Sequence, residues 1–196
     1  MKRSIYIFLL IILTLFTFIA FAEPPDYKQS DQRWADYPYT ICDDPEQTIG
    51  NGGCGLAAMC DIIACWFDPD ITPIDLAELS MHEFGTCSDD GATYTTFFVK
   101  MAEEYPFSAF KETHALNDAI QCLEEGGLVI VIFSGGRWEI PGETSTHACC
   151  LYSYSEDDDF RVHDPAWPEG IMSTIMGHVH YDDMAEHAKT FYCYWH

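Results

Sequence analysis

The chain has 196 residues and a mass of 22.3 kDa, enough for one domain of ordinary size but short for two well-built ones. Its 9 lysines and arginines stand against 32 aspartates and glutamates, which gives a formal net charge of -23. Nucleic-acid binding and docking on anionic lipid both need a basic surface, so this charge balance argues against both functions. Apolar residues make up 48% of the chain, enough to build a buried core.

Residues 1–22 have the pattern of a secretory signal peptide. A basic start, Lys2-Arg3, precedes a long apolar run that ends in the small-residue sequence Ala20-Phe21-Ala22. Cleavage after this sequence would leave one mature domain, residues 23–196, that is secreted and no longer tied to a membrane. The apolar run is slightly long for a signal, so an uncleaved membrane anchor is the alternative prediction.

Periodicity in the mature region predicts helices first and strands second. Apolar residues recurring every three or four positions predict helices over 56–67, 74–84, 93–105 and 116–125. Runs rich in β-branched and aromatic residues predict strands over 128–133, 148–154, 160–163 and 191–195. Glycine-rich or acidic segments predict a flexible turn over 50–53, a polar loop over 85–91 and a hairpin turn over 156–159. This order predicts an α+β domain with N-terminal helices packed on a C-terminal antiparallel sheet.

Nine cysteines lie along the chain: Cys42, Cys54, Cys60, Cys65, Cys87, Cys122, Cys149, Cys150 and Cys193. Secretion makes disulfide pairing the default, and an odd number leaves at least one thiol over, so four disulfides and one free thiol are expected. Cys149 and Cys150 are adjacent on a predicted strand and should face opposite sides of it. No metal site is expected, because there is no CxxC pair and the histidines His178, His180 and His187 lack the companion ligands of a familiar site.

Three residues have the placement that nucleophilic catalysis requires. Cys54 follows a glycine-rich turn at the start of a buried helix, where the helix dipole lowers a thiol pKa, although a disulfide cysteine could stand there equally well. His147 comes directly before a predicted strand and could serve as general base and acid, or be an ordinary surface histidine. Asp164 ends the next strand; if the two strands pair, its carboxylate reaches His147, whereas alone it would be a turn aspartate before proline.

With these residues in place, the sequence resembles the bacteriocin-processing-peptidase-like (double-glycine-peptidase-like) branch of the papain-fold cysteine peptidases. The resemblance covers essentially the whole mature domain. It depends on a series of matches in order: Tyr27-Lys28-Gln29-Ser30-Asp31 with Trp34, Thr48-Ile49-Gly50 leading to Gly53-Cys54-Gly55, the segment 85–91, Gly126, His147, and Asp164-Pro165. Leu56-Ala57 stand where the family has a proline and a hydroxyl residue.

The resemblance implies a role for each matched residue. Cys54 would be the nucleophile, His147 the general base and acid, and Asp164 the orienting group. Gln29 would donate to the oxyanion together with the backbone N–H of Cys54, and Gln47, nearer in sequence, is the less favoured alternative. Residues expected to line the substrate site are Gly53, Gly55, Gly91 and Trp138.

These expectations combine into a secreted, papain-like cysteine peptidase that hydrolyses peptide or amide bonds through an acyl-enzyme. We expect a monomer that acts on a peptide or protein substrate and needs no cofactor. Two alternatives remain open at this point. One is an acyl transferase that uses the same thioester, and the other is an inactive secreted binding module on the same fold.

Overall fold

The computed structural model of the protein describes residues 23–42, 44–134, 146–155, 159–166 and 177–196. The predicted signal peptide, Trp138 and most of the predicted acidic turn lie outside these residues. Within the described ranges, no helix is both long enough and apolar enough to cross a bilayer.

The helices agree with the predicted order. In the described part of the chain they are α1 (Ile49–Gly52), α2 (Cys54–Trp66), α3 (Pro73–Glu78), α4 (Thr96–Glu104), α5 (Leu116–Glu124) and α6 (Tyr181–His187). Thr72 begins α3 through a capping box, in which its hydroxyl accepts from the Asp75 N–H while the Asp75 carboxylate accepts from the Thr72 N–H. A π-helical turn, Leu79–Phe84, prolongs α3. The flexible turn predicted over 50–53 is instead largely helical, since residues 50–52 form most of α1.

Six strands form one antiparallel sheet in the order β1-β6-β2-β3-β4-β5. They are β1 (Ala109–Thr113), β2 (Leu128–Ser134), β3 (Thr146–Ser155), β4 (Asp159–His163), β5 (His178–Val179) and β6 (Ala188–Trp195). The most apolar strand, β2, lies inside the sheet between β6 and β3. The predicted α+β class is therefore confirmed. The sequence did not predict strands β1 and β5 or helix α6, because each is short and has no clear apolar period.

Helices cover both faces of this sheet. Residues of α2, such as Met59, pack with Ile130 and Cys150 in one core, whereas α5 and α6 pack with Val131 and Cys149 in the other. Adjacent residues of β2 and of β3 thus enter different cores, as strand geometry requires. This confirms that Cys149 and Cys150 face opposite sides. The expectation that helices lie N-terminal to the sheet is incomplete, because α6 lies between β5 and β6.

The structure contains no disulfide bond among the nine cysteines, all of which lie in the described ranges. Six of them are buried as thiols in the two cores. Cys122 on α5 and Cys193 on β6 are neighbours in one core, and the Cys122 thiol donates to the Leu128 and Tyr194 carbonyls at 3.8 and 3.7 Å. The four predicted disulfides therefore stay a prediction for the oxidised protein.

Candidate active site

Cys54 is the first residue of α2, as predicted, and the preceding backbone fixes its place. The Gly53 N–H donates to the Ile49 carbonyl at 2.8 Å, and the Ala57 N–H donates to the Gly53 carbonyl at 3.0 Å. A Cβ on Gly53 would lie 2.5 Å from the Ile49 carbonyl oxygen, so only glycine fits this junction between α1 and α2. The junction leaves Cys54 half-buried at the helix start.

His147 and Asp164 meet because β3 pairs with β4. The pairing sets Cys150 opposite His163, with a register shift between Leu151 and Ser153 that supplies the irregularity needed to align the strand ends. The His147 Nε2 lies 2.6 Å from the Asp164 Oδ1, and the two side chains are only 14% and 4% exposed. The predicted approach of these two residues is thus observed, with His147 inside β3 rather than before it.

The hydrogen bond to Asp164 orients the imidazole. Asp164 Oδ1 also accepts from the Ala166 N–H at 3.0 Å, which holds the carboxylate in place. When Nε2–H donates to this carboxylate, Nδ1 is the ring nitrogen left to exchange a proton with the Cys54 thiol, which lies beside the His147 ring. The three side chains therefore form a connected chain from thiol to carboxylate.

The electrostatics of Cys54 and His147 favour charge separation between the thiol and the imidazole. Burial by itself raises the pKa of the Cys54 thiol, but the hydrogen bond and charge of His147 and the Ala148 N–H outweigh it and lower that pKa below its ordinary value. Burial likewise opposes the charged form of His147, yet the hydrogen bonds of its ring with Asp164 and Cys149 raise its pKa well above the usual range. Both shifts favour a thiolate on Cys54 beside an imidazolium on His147.

Gln29 lies between the segments that carry Cys54 and Asp164. Its backbone N–H donates to the Pro165 carbonyl at 2.9 Å, and its side-chain Nε2 donates to the Gly50 carbonyl at 2.8 Å. The side chain is buried, and its Oε1 has no hydrogen-bond partner among the described residues. Gln47 instead donates to Asp44 at 3.4 Å, and its Oε1 would lie 2.9 Å from a Cβ on Gly91.

The glycines predicted to line the substrate site pack closely against neighbouring segments. A Cβ on Gly55 would lie 3.1 Å from the Thr93 side chain, in the buried contact between α2 and the segment before α4. Gly91 has a φ of +75°, and its carbonyl oxygen would lie 1.8 Å from a Cβ on Gly52. The loop that ends at Gly91 therefore lies directly against α1, close to the start of α2.

The sequence prediction missed a second thiol beside His147. Cys149 lies two residues along β3, on the same face, and its sulfur lies within 4.8 Å of an imidazole nitrogen. Burial and the nearby Asp164 charge raise the pKa of Cys149 to about 12, so it stays protonated at neutral pH. The spacing of two along a predicted strand was the available signal. His147, Cys149 and Asp164 have ligand atoms within 4.8 Å of one another and could also hold a metal ion.

Proteins of one peptidase family are similar to this chain. The sequence model of the Peptidase_C39 like family matches residues 25–189, a range that includes Cys54, His147 and Asp164. A crystal structure of a C39-like peptidase from Bacillus anthracis is similar, with 12% identity and a TM-score of 0.46, over 74% of this chain and 88% of that chain. No curated protein matches.

Proposed function

Because the chain belongs to the Peptidase_C39-like family, we propose that it hydrolyses peptide bonds with Cys54, His147 and Asp164 as its catalytic triad. One observation carries the proposal: the Cys54 thiol contacts an imidazole whose Nε2 is 2.6 Å from the buried Asp164 carboxylate. A cysteine at a helix start, a histidine and an orienting acid are the groups that thiol acyl transfer requires.

The proposed reaction has two halves. The Cys54 thiolate attacks the scissile carbonyl carbon, and the imidazolium of His147 gives its proton to the leaving amine as the C–N bond breaks. A water then attacks the thioester while His147 takes a proton from it, and the acid product leaves with the Cys54 sulfur restored. Asp164 keeps its hydrogen bond to Nε2 throughout and stabilises the positive ring.

Gln29 is the proposed side-chain donor to the oxyanion, with the backbone N–H of Cys54 as second donor. Only one hydrogen of its Nε2 is used by the Gly50 carbonyl, so the other can serve the substrate. The bonds of Gln29 to Gly50 and Pro165 support this role, because they fix the amide between the segments that carry the nucleophile and the orienting acid.

We also propose that the protein acts outside the cytoplasm after loss of residues 1–22. The signal-like N-terminus supports this, and the test is the N-terminal residue of the protein recovered from the culture medium, expected to be Glu23. The strongly acidic composition would attract basic peptides at low salt, so a substrate library should include them.

The first test of the proposed function measures the reactivity of the Cys54 thiol. The unreduced protein is treated with iodoacetamide or an epoxysuccinyl reagent at neutral pH, and adducts are located by peptide mass analysis. We expect one fast-reacting site, Cys54, with the same labelling in the matched control Cys149→Ala. A peptide library then tests turnover, which Cys54→Ala should abolish. An unreactive Cys54, or a reactive Cys54 without any turnover of peptides, would favour a binding module instead.

A further inference from the structure

A second cluster of ionisable side chains lies at the end of β4, next to the proposed triad. Asp61 of α2 is fully buried, and its Oδ1 accepts from the Tyr27 N–H at 2.8 Å. Its Oδ2 has no hydrogen-bond partner among the described residues, and neither has Nδ1 of His163, which is 6% exposed. These two atoms lie 3.7 Å apart, within ion-pair range but too far for a hydrogen bond.

The two unsatisfied atoms are held in place by their surroundings. The Tyr152 ring packs against the His163 ring with a centroid distance of 4.4 Å, so the imidazole is fixed on one face. The Glu23 carboxylate is 3.2 Å from the outer nitrogen of His163, Nε2, which leaves Nδ1 directed at Asp61. Buried polar atoms without partners are rare in proteins and call for an occupant or a function.

A third ligand, the carboxylate of Asp26, completes the cluster. The ligand atoms of Asp26, Asp61 and His163 lie within 4.8 Å of one another. Asp26 is exposed, so the cluster opens toward solvent on its side. Burial raises the pKa of the Asp61 carboxyl to about 7, and the neighbouring His163 offsets this only in part.

We propose that Asp26, Asp61 and His163 bind a divalent transition-metal ion of the zinc class. Zinc binds imidazole nitrogen and carboxylate oxygen at about 2.0–2.2 Å, which in tetrahedral geometry separates two ligand atoms by about 3.4 Å, a few tenths less than the observed gap. Glu23 would orient His163 from outside the site, as carboxylates do for metal-bound histidines. Calcium and magnesium do not suit a site with an imidazole ligand and few oxygens.

Lys28 is the competing cation. Its ammonium lies 2.6 Å from Asp26 Oδ1 and donates to the Asp164 carbonyl at 2.9 Å. A metal ion would therefore bind Asp26 Oδ2, or it would displace Lys28 from Asp26 Oδ1. Bound metal would tie the N-terminal segment to α2 and to the end of β4, directly before Asp164. Its role would be structural, and the site does not depend on the proposed peptidase function.

No sequence pattern points to this site, because its ligands come from three distant segments. His178, His180 and His187 are the histidines that the sequence brings forward as possible ligands, and His163 is not among them. The cluster is also separate from the group formed by His147, Cys149 and Asp164, which contains a thiol. That chemical difference makes the two sites distinguishable by experiment.

The test is a titration of the metal-free protein with zinc chloride, in which binding is measured by calorimetry and by the shift in melting temperature. Asp61→Asn and Asp26→Asn should each weaken binding tenfold or more, while Cys149→Ala binds as wild type does. Lys28→Gln, which removes the competing cation but no ligand, should bind equally or more tightly. Cobalt chloride should give a visible spectrum without sulfur-to-metal charge-transfer bands.

Two results would overturn the proposal. One is wild-type affinity in both aspartate variants, and the other is loss of binding in Cys149→Ala, which would place the metal at the thiol cluster. Asp26 is exposed, so Asp26→Asn gives a readable answer even if Asp61→Asn does not fold. Failure of the metal-site proposal would leave the labelling of Cys54 unaffected. It could therefore not be confused with failure of the peptidase proposal.

Discussion

Cys54 and Asp61 lie two turns apart on α2, and each lies beside a histidine of the sheet. Cys54 contacts His147 of β3, and Asp61 lies 3.7 Å from His163 at the end of β4. Seven residues span almost two full helical turns, so both side chains share one face of the helix. Because Asp164 directly follows His163, one helix and one strand end position both clusters together.

The contact between Cys54 and His147 predicts an alkylation profile. The rate at which wild-type Cys54 reacts with iodoacetamide should rise with pH through an inflection below the ordinary thiol pKa. The reason is that His147 lowers the pKa of this thiol. In His147→Ala that stabilisation of the thiolate is lost while burial remains, so the inflection moves to higher pH and the rate at neutral pH falls. The measurement is the rate of Cys54 adduct formation against pH.

Cys149→Ala is the matched control for this experiment. Cys149 also contacts His147, but its own pKa is raised to about 12, so it contributes no thiolate at neutral pH. Its loss should leave the Cys54 adduct in place. An unchanged inflection in His147→Ala would show that the histidine does not activate the thiol.

Asp164→Asn should shift the alkaline limb of peptidase activity. His147 must carry a proton to expel the leaving amine, and the hydrogen bond to Asp164 is one of the interactions that raise its pKa. Asparagine removes that contribution, so the alkaline fall in kcat/KM moves to lower pH, and kcat itself drops. The measurement is the pH profile of kcat/KM on a library-derived peptide. A lower kcat with an unmoved alkaline limb would assign Asp164 a merely structural role.

The sequence predicted the parts of the site that local chemistry determines. A glycine-rich segment before an apolar helix located Cys54 at a helix start, and the order of strands brought His147 and Asp164 together across one pairing. These residues lie at element boundaries, where turn and helix signals are strongest. The main helices and four of the six strands followed from periodicity, which is strong wherever one face of an element is buried.

What the sequence could not predict are contacts between distant segments. Asp61 is one polar residue within a predicted buried helix, and nothing local indicates that His163 lies opposite it. The helical turn α1 was also missed, because its glycines are typical of flexible turns. Packing requires glycine there: a Cβ on Gly52 would lie 1.8 Å from the Gly91 carbonyl oxygen.

The two candidate oxyanion donors can be separated by substitution. Gln29→Ala should lower kcat by about 100- to 1000-fold with little change in KM, because the amide would act only on the charge that develops in the reaction. Gln47→Ala is the matched comparison and should leave kcat near the wild-type value, since its amide donates to Asp44. The reverse pattern would assign the role to Gln47. Steady-state kinetics on one peptide decide between them.

Alanine substitutions at Gly52 and Gly85 together test how tightly the loop that ends at Gly91 packs against α1. Gly52→Ala forces a methyl group into the Gly91 backbone and should lower the free energy of unfolding by at least about 3 kcal/mol. Gly85 has a φ of +63°, and a Cβ there would meet nothing within 4 Å, so alanine costs about 1 kcal/mol of backbone strain. Urea unfolding measures both. Equal losses would mean that the loop can move away from α1 at little cost.

Cys122 and Cys193 are a neighbouring buried pair that we expect to form a disulfide in an oxidising compartment. Both side chains lie in one core, Cys122 on α5 and Cys193 on β6, whereas Cys149 and Cys150 lie in separate cores. Peptide mapping of the unreduced protein from the culture medium should join Cys122 to Cys193. The bond should raise the free energy of unfolding by about 2–4 kcal/mol relative to Cys193→Ser.

Cys54→Ala is the control, because it removes the proposed nucleophile and should leave this bond intact. Recovery of both Cys122 and Cys193 as alkylated thiols from the unreduced protein would contradict the prediction. A bond from either of them to Cys54 would contradict the peptidase proposal as well, since it would consume the thiol on which catalysis depends.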